Sequence, residues 1–377
     1  MSKIIVIGSG MVGSAMALDL VKQHDVTVVD KSSFALDKLK SKNEKITTTI
    51  LDVCNSDELK KTIQPFNLVV SAVPGFLGYQ TLKNIIEAGK NTVDISFFPE
   101  NCLDLQNLAV QKNVTAIVDC GVAPGMGNII LGYYNEQLNI TDFECLVGGL
   151  PKIKKWPFAY KAPFSPIDVI EEYTRPARYV ENGCIVTREA LSDVEQVEFE
   201  GVGTLESFNS DGLRSLLFTM SHIKNMKEKT LRYPGHVEYI RVLRSTGFFS
   251  TTPVEINGAK IRPIDFTSRL LFDEWKLGET EEEITVMRIT IKGIDDKGQQ
   301  QTIIYHLHDN YNHATNTSSM ARTTGYTATA AAHLILNGVF RNKGVFPPEL
   351  VGKYENCFHT IMQYLNERGV QYVKTQY

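Results

Sequence analysis

Residues 3–13 read KIIVIGSGMVG and residues 26–30 read VTVVD. The first five form an apolar, β-branched run, the pattern of a strand buried on both faces in a parallel sheet. Directly after it, Gly8, Gly10 and Gly13 fit G-x-G-x-x-G, with Ser9, Met11 and Val12 between them. Helical apolar spacing then begins at Met11, so the glycines join a strand to a helix. Gly8 permits the tight turn, Gly10 lets backbone approach a pyrophosphate, and Gly13 lets the helix pack closely on the strand. The pyrophosphate takes the positive helix end. Asp30 closes the second strand seventeen residues after Gly13, where a carboxylate accepts from ribose hydroxyls and repels a 2′-phosphate. NAD is therefore expected over NADP, with Lys31 and Ser32 as partial offsets.

Outward from this unit, strand and helix signals keep alternating. Strands are expected at residues 47–51, 68–73, 92–95 and 116–118, and helices at 37–42, 56–63, 82–87 and 103–111. Ser56 is expected to cap its helix. Such alternation predicts an α/β, doubly wound Rossmann sheet. Asp52 and Val53 follow the third strand and are expected in an adenine pocket. Ala72, Val73 and Pro74 follow the fourth, where small residues admit the ribose–nicotinamide half. Asp94 ends the fifth strand, Asp119 ends the sixth, and Cys120 follows it; all three are expected to face the crevice and to handle protons.

Past Pro124-Gly125 the pattern changes to α+β, with more aromatics and turns. Residues 285–291 (TVMRITI), Asp295-Asp296-Lys297-Gly298 and residues 301–306 form a hairpin signature. KNMKEK at 224–229 reads as a solvated face of mixed sign. Helix returns at 321–336, rich in small residues that permit close packing, and residues 370–373 suggest a last strand. The expected units are 1–125, 126–317 and 318–377.

The 377 residues suggest roughly two to three domains. Lys and Arg number 39 against 43 Asp and Glu, a net charge of −4, which argues against nucleic acid as partner. No apolar run is long enough to span a membrane, and the N-terminus lacks a signal-peptide pattern. Six scattered cysteines make neither a disulfide framework nor a zinc ribbon, so a reduced, cytoplasmic protein is expected. His306, His308 and His313 lack acidic or thiolate partners at ligand spacing, and no metal is expected.

Longer segments resemble the saccharopine dehydrogenase superfamily. They are 118–126 (VDCGVAPGM), 147–151 (VGGLP), 164–177 from Phe164-Ser165-Pro166 to Pro176-Ala177, 205–212 (LESFNSDG), 230–236 (TLRYPGH), 320–326 (MARTTGY) and 344–349 (GVFPPE). Within it the chain is most similar to the lysine 6-dehydrogenase branch, which Asp30 fits. The resemblance implies that residues after 125 form an inserted substrate and dimerisation domain, and that the C-terminal helices return to the Rossmann domain. A homodimer or higher homo-oligomer is implied, and so is oxidation of an amino-acid amine, the ε-amine of lysine first. Asp94 or Asp119 would take the amine proton, and Cys120 matches the saccharopine-reductase side, where a cysteine is catalytic. A carboxylate clamp is expected from Arg232, then Arg244 and Arg175, with Gly149 and His236 in the matching segments. FFPE at 97–100 departs from the glycine- and histidine-bearing segment of the lysine enzymes, beside the substrate. Two alternatives stand: a secondary-amine dehydrogenase of saccharopine or carboxynorspermidine type, with a longer pocket and a second anion clamp, and a dinucleotide-binding redox sensor without catalysis.

Overall fold

The computed structural model describes residues 1–164, 166–278 and 280–376; Ser165 of the Phe164-Ser165-Pro166 segment lies outside them. In chain order the elements are β1 (Lys3–Ile7), α1 (Met11–Leu20), β2 (Asp25–Asp30), α2 (Ser33–Lys42), β3 (Thr47–Ile50), α3 (Ser56–Ile63), β4 (Leu68–Ser71), α4 (Gly75–Glu87), β5 (Thr92–Asp94), α5 (Gln106–Gln111), β6 (Thr115–Ile117), α6 (Met126–Asn135), β7 (Asn139–Pro151), α7 (Pro166–Thr174), β8 (Ala177–Glu181) and β9 (Cys184–Arg188). They continue with β10 (Glu195–Phe199), β11 (Gly203–Asn209), α8 (Leu216–Thr219), β12 (Asn225–Arg232), α9 (His236–Ser245), β13 (Val254–Ile256), β14 (Ala259–Ile261), α10 (Pro263–Trp275), β15 (Glu283–Ile294), β16 (Gln300–Asn310), α11 (Ser319–Leu336), β17 (Gly344–Phe346), α12 (Pro348–Gly352), α13 (Glu355–Glu367) and β18 (Tyr372–Gln376).

Among the described residues, β1–β6 and β17 form a parallel sheet in the order β17-β6-β5-β4-β1-β2-β3. The order reverses at β1 and β4, and the crevice of a doubly wound sheet opens there, at the strand carboxyl ends. Ile4, Ile5 and Val6 on β1 and Val69 and Val70 on β4 are fully buried, as the apolar runs require. Helix α11 packs along α1 through small residues. A Cβ at Gly325 would come 3.2 Å from Met16, so the two helices touch almost backbone to side chain.

The second sheet runs β10-β11-β12-β7-β15-β16-β18, with β8 paired to β12 and β9 to β8. The expected hairpin is β15 and β16, longer than its sequence signal because β7 and β18 pair with its outer edges. Its turn is built by Asp295, whose carboxylate accepts from the Lys297 and Gln299 amides at 2.9 Å, and by Gly298 at φ +77°.

Three expectations change. Asn55 rather than Ser56 caps α3, accepting from the Glu58 amide at 3.2 Å. The C-terminal segment returns a strand as well as helices: β17 pairs with β6, whereas the last strand, β18, joins the other sheet. KNMKEK is no solvated face. It opens β12, an interior strand, where Met226, Glu228 and Lys229 are buried. Lys229 donates to the Asp193 carbonyl and the Glu195 carboxylate, so its charge is neutralised inside. No helix among the described residues is long and apolar enough to cross a membrane.

Candidate active site

A cavity of about 680 Å3 runs from the glycine loop to the face of the second sheet. Every sequence-assigned cofactor residue lines it: Gly8, Gly10, Met11, Val12, Gly13, Asp30, Asp52, Val53, Ala72, Val73 and Pro74. Gly8 sits at φ +101°, and a Cβ there would meet the Ala72 carbonyl oxygen at 2.6 Å. A Cβ at Gly13 would lie 2.1 Å from the Gly8 carbonyl oxygen, so strand and helix close on each other only without it. Gly10 is the N-cap of α1, makes no side-chain cap bond and faces open space. The first-turn amides are therefore left for an anion. The cradle fits a dinucleotide pyrophosphate.

Asp30 has a second task. Its carboxylate accepts from the Ser9 amide at 2.7 Å and the Ser32 amide at 2.8 Å, so it also braces the loop. Asp52 accepts from the Cys54 amide at 3.0 Å, which holds its carboxyl below the usual range.

The other half of the cavity lies against β12. Alternation along a strand sends Glu228, Thr230 and Arg232 to one face, and all three line the cavity. Gly149 on β7 lines it too, and a Cβ there would press Met320 and Pro163 at 2.7 Å. Helix α7 adds Asp168, Glu171, Glu172 and, just past its end, Arg175. Carboxylates outnumber guanidiniums here.

The expected arginines differ in what they have left to give. Arg232 is buried and largely engaged: Nε donates to Tyr173 Oη at 3.1 Å, Nη1 to the Leu231 carbonyl at 2.9 Å, and Nη2 to Glu172 at 2.8 Å. It has no empty two-pronged fork, because the network that carries it into the core consumes its donors. Arg175 donates Nη2 to Glu171 at 3.1 Å, while its buried Nη1 has no partner among the described residues. Its guanidinium lies 5.0 Å from the centre of the Phe97 ring. Arg175 therefore holds the donor ready for a carboxylate. Phe97, from the FFPE departure, lines the cavity.

His236 and Arg244 stand outside the cavity lining. Arg244 donates to the Ala190 carbonyl at 2.7 Å, on another side of α9. His236 is fully enclosed behind the wall, and its acidity is set by burial, which with nearby Arg232 pushes the imidazole down to about 3. It is neutral. Nδ1 faces the Phe158 carbonyl at 2.9 Å, so that nitrogen carries the hydrogen. Nε2 then accepts from Tyr173 Oη at 2.9 Å, and the tyrosine oxygen accepts from Arg232. His236 thus orients Arg232 from one step behind.

Asp94, Asp119 and Cys120 do not line the cavity either, contrary to the expectation that strand ends place them in the crevice. Asp94 is fully buried and turns back to accept from the Ser96 amide at 2.9 Å and the Ser96 hydroxyl at 3.1 Å. Burial pushes its carboxyl up to about 7. Asp119, at φ +53°, accepts from Arg214 Nε at 2.8 Å. Cys120 is enclosed with Sγ 3.8 Å from the Thr327 carbonyl, and burial pushes its thiol up to about 12. A thiol held so protonated is a packing group.

Sequence reasoning missed the acids of α7, Asp211 and above all Glu228. The available signal was period-two alternation through residues 228–232, obscured by the lysines on either side of Glu228. Among the described residues no cluster of ligand-type side chains is placed to hold a metal.

Comparison with known proteins follows this division of the cavity. The profile described as Saccharopine dehydrogenase NADP binding domain matches residues 4–117, and Saccharopine dehydrogenase C-terminal domain matches residues 121–370. Carboxyaminopropylagmatine dehydrogenase of Synechocystis sp. is 23% identical over 93% of this chain and 92% of its own length. Saccharopine dehydrogenase [NADP(+), L-glutamate-forming] of Schizosaccharomyces pombe is 23% identical over 68% of this chain and 60% of its own. Among solved structures, apo saccharopine dehydrogenase (L-Glu forming) from Saccharomyces cerevisiae has a TM-score of 0.81 at 18% identity, covering 100% of both chains. The NAD complex of homospermidine synthase from Legionella pneumophila has a TM-score of 0.68 at 11% identity, covering 99% of this chain and 91% of that one.

Proposed function

Since the chain belongs to the saccharopine dehydrogenase family, we propose that it oxidises a cationic amine carried by an amino acid with one carboxylate, or runs the same reaction in reverse. The family is one of oxidoreductases that act at a carbon–nitrogen bond with a nicotinamide dinucleotide. When bound along the glycine cradle, that cofactor supplies the hydride acceptor. The chain's own residues hold the pyrophosphate at the start of α1, meet the ribose at Asp30 and exclude a 2′-phosphate there, so NAD is the preferred form.

One observation carries the substrate class: the excess of carboxylate over guanidinium in the cavity half against β12. Glu171, Glu172 and Asp211 already face Arg175, Arg232 and Arg178, and Glu228 makes no ion pair among the described residues. A substrate amine arrives protonated, since alkyl ammonium groups titrate near 10.4, and such a wall attracts it. Among the described arginines that line the cavity, only Arg175 keeps a buried donor without a partner, so the site suits one carboxylate better than several. Lysine is one small substrate of this kind. Secondary amines joining an amino-acid chain to a polyamine or guanidine arm are larger ones.

A screen of dinucleotide reduction tests this, with L-lysine, saccharopine and carboxyalkyl polyamines, each with NAD and NADP. Turnover is expected with lysine or the carboxyalkyl amines, more slowly with saccharopine. Preference for saccharopine overturns the charge argument. Tight NAD binding without turnover of any amine supports a sensor instead.

A further inference from the structure

The geometry points to Glu228 as the group that takes the proton from the reacting amine, with Gly212 as the position that makes room for it. The inference rests on the reading that an ammonium enters the β12 half of the cavity. Asp94 and Cys120 are closed off from that half and the Ser96 hydroxyl donates to Asp94, so the proton falls to a carboxylate of the cavity wall itself.

Glu228 stands in the interior of β12, on the face shared with Thr230 and Arg232. It is 5% exposed, and what exposure it has is to the cavity. Its carboxyl makes no hydrogen bond or ion pair among the described residues, whereas Glu172, on the facing helix, is tied to Arg232 at 2.8 Å. An unpartnered carboxyl in a protein interior is costly unless a ligand completes it. Gly212 bears on the same point from the neighbouring loop. A Cβ there would fall 1.8 Å from Glu228 Oε1 and 2.2 Å from its carboxyl carbon, so the carboxyl occupies the space a side chain would need.

The step balances simply. An N–H bond of the substrate ammonium breaks, an O–H bond forms on Glu228, and the electron pair stays on nitrogen. A bound oxidised nicotinamide would then accept the hydrogen of the substrate carbon with two electrons, leaving the carbon–nitrogen bond double. In reverse, protonated Glu228 returns the proton to nitrogen.

Burial pushes the Glu228 carboxyl up to about 8, and the negative charges of Glu172 and Asp211 add to this. Arg214 acts in the opposite direction, whereas Asp119, behind it, adds to the rise. The Cys145 thiol on β7 is protonated and neutral. Tyr179 on β8 donates to the Glu228 backbone carbonyl, not to the carboxyl. A base of this kind works when ionised, so kcat/KM should climb with pH to a plateau above about 8.

The test uses the full chain with Glu228→Gln, which keeps shape and loses the titration, and Gly212→Ala, which displaces the carboxyl. Glu228→Gln should lose about 10²–10⁴-fold in kcat/KM, together with the limb near pH 8, while calorimetry shows unchanged NAD affinity. Gly212→Ala should lose rate in the same direction. Equal kcat/KM for Glu228→Gln and wild type from pH 6 to 10 overturns the assignment. A readout independent of turnover separates this from the function itself: calorimetry of L-lysine binding to the cofactor-free chain at pH 7.5, in two buffers of different ionisation enthalpy. Proton exchange on binding that disappears in Glu228→Gln supports the assignment even where no amine is turned over. Exchange that is the same in both proteins sinks it.

Discussion

Arg214 Nε donates to Asp119 Oδ2 across 2.8 Å, and neither side chain is more than 6% exposed. The pair joins the end of the nucleotide sheet to the segment before α8. Arg214 also donates through Nη1 to the Phe98 carbonyl at 2.6 Å. Its guanidinium lies 4.7 Å from the Phe97 ring centre, so it anchors the loop that walls the cavity. Breaking one side of a buried pair costs about 3–5 kcal/mol, because the other charge is left uncompensated. Asp119→Asn should therefore lower the melting temperature markedly. Thermal unfolding that matches wild type would show that the pair bears no weight.

Two glycines of the first loop should fail differently. Gly10→Ala places a methyl in open space, so the fold should hold and NAD binding weaken, as seen by calorimetry. Gly13→Ala drives a Cβ to 2.1 Å from the Gly8 carbonyl oxygen and should lose stability as well. Equal stability of the two variants would contradict the close approach of α1 to β1.

Asp30→Ser should narrow the preference for NAD over NADP by removing the charge that opposes a 2′-phosphate. It should also slow the NAD reaction, because the Ser9 and Ser32 amides lose their shared acceptor. The ratio of kcat/KM for the two cofactors reads the first effect. An unchanged ratio would refute the Asp30 argument.

Asp94 gives a pH-dependent prediction. Burial raises its carboxyl from 3.8 to about 7, so the folded chain keeps a proton that the unfolded chain releases. Its contribution to stability is full below about pH 4 and is lost as pH rises to 7. Asp94→Asn should remove that decline, gaining on wild type in urea unfolding between pH 5 and 8. Its turnover should fall far short of the about 10²–10⁴-fold loss of a general base. A loss of that size would return the catalytic role to Asp94.

Tyr173→Phe removes the hydroxyl between His236 and Arg232. The Arg232 Nε then has no acceptor, and Glu172 loses the fixed geometry of its partner. KM for the amine should rise while NAD affinity stays constant. Unchanged KM would mean that the chain of bonds is structural only.

The nucleotide half was legible because its signals are local. A buried strand, three glycines and an acid at a fixed distance all fall within 30 residues of chain, and the expected lining residues from Gly8 to Pro74 all face the cavity. The substrate half was not. Asp94, Asp119 and Cys120 sit at strand ends as expected, but the direction of each side chain depends on partners far away: Arg214 lies 95 residues from Asp119, and Thr327 lies 207 from Cys120. Arg232 was found by its segment, yet its spent donors follow from Tyr173 and Glu172, on a helix 60 residues earlier. Glu228 was concealed by the two lysines that flank it, of which Lys229 is neutralised inside the protein while partly exposed Lys227 pairs with Glu144.

The strands β17 and β18 lie within 33 residues of each other and complete opposite sheets, β17 beside β6 and β18 beside β16. Both open edges thus wait for the same late stretch of polypeptide. During synthesis β6 and β16 are exposed as unpaired borders until that stretch emerges, and such borders recruit foreign strands. A ribosome halted before Gly344 would hold both sheets with an adhesive flank each, so a chain cut there should aggregate where the longer one folds.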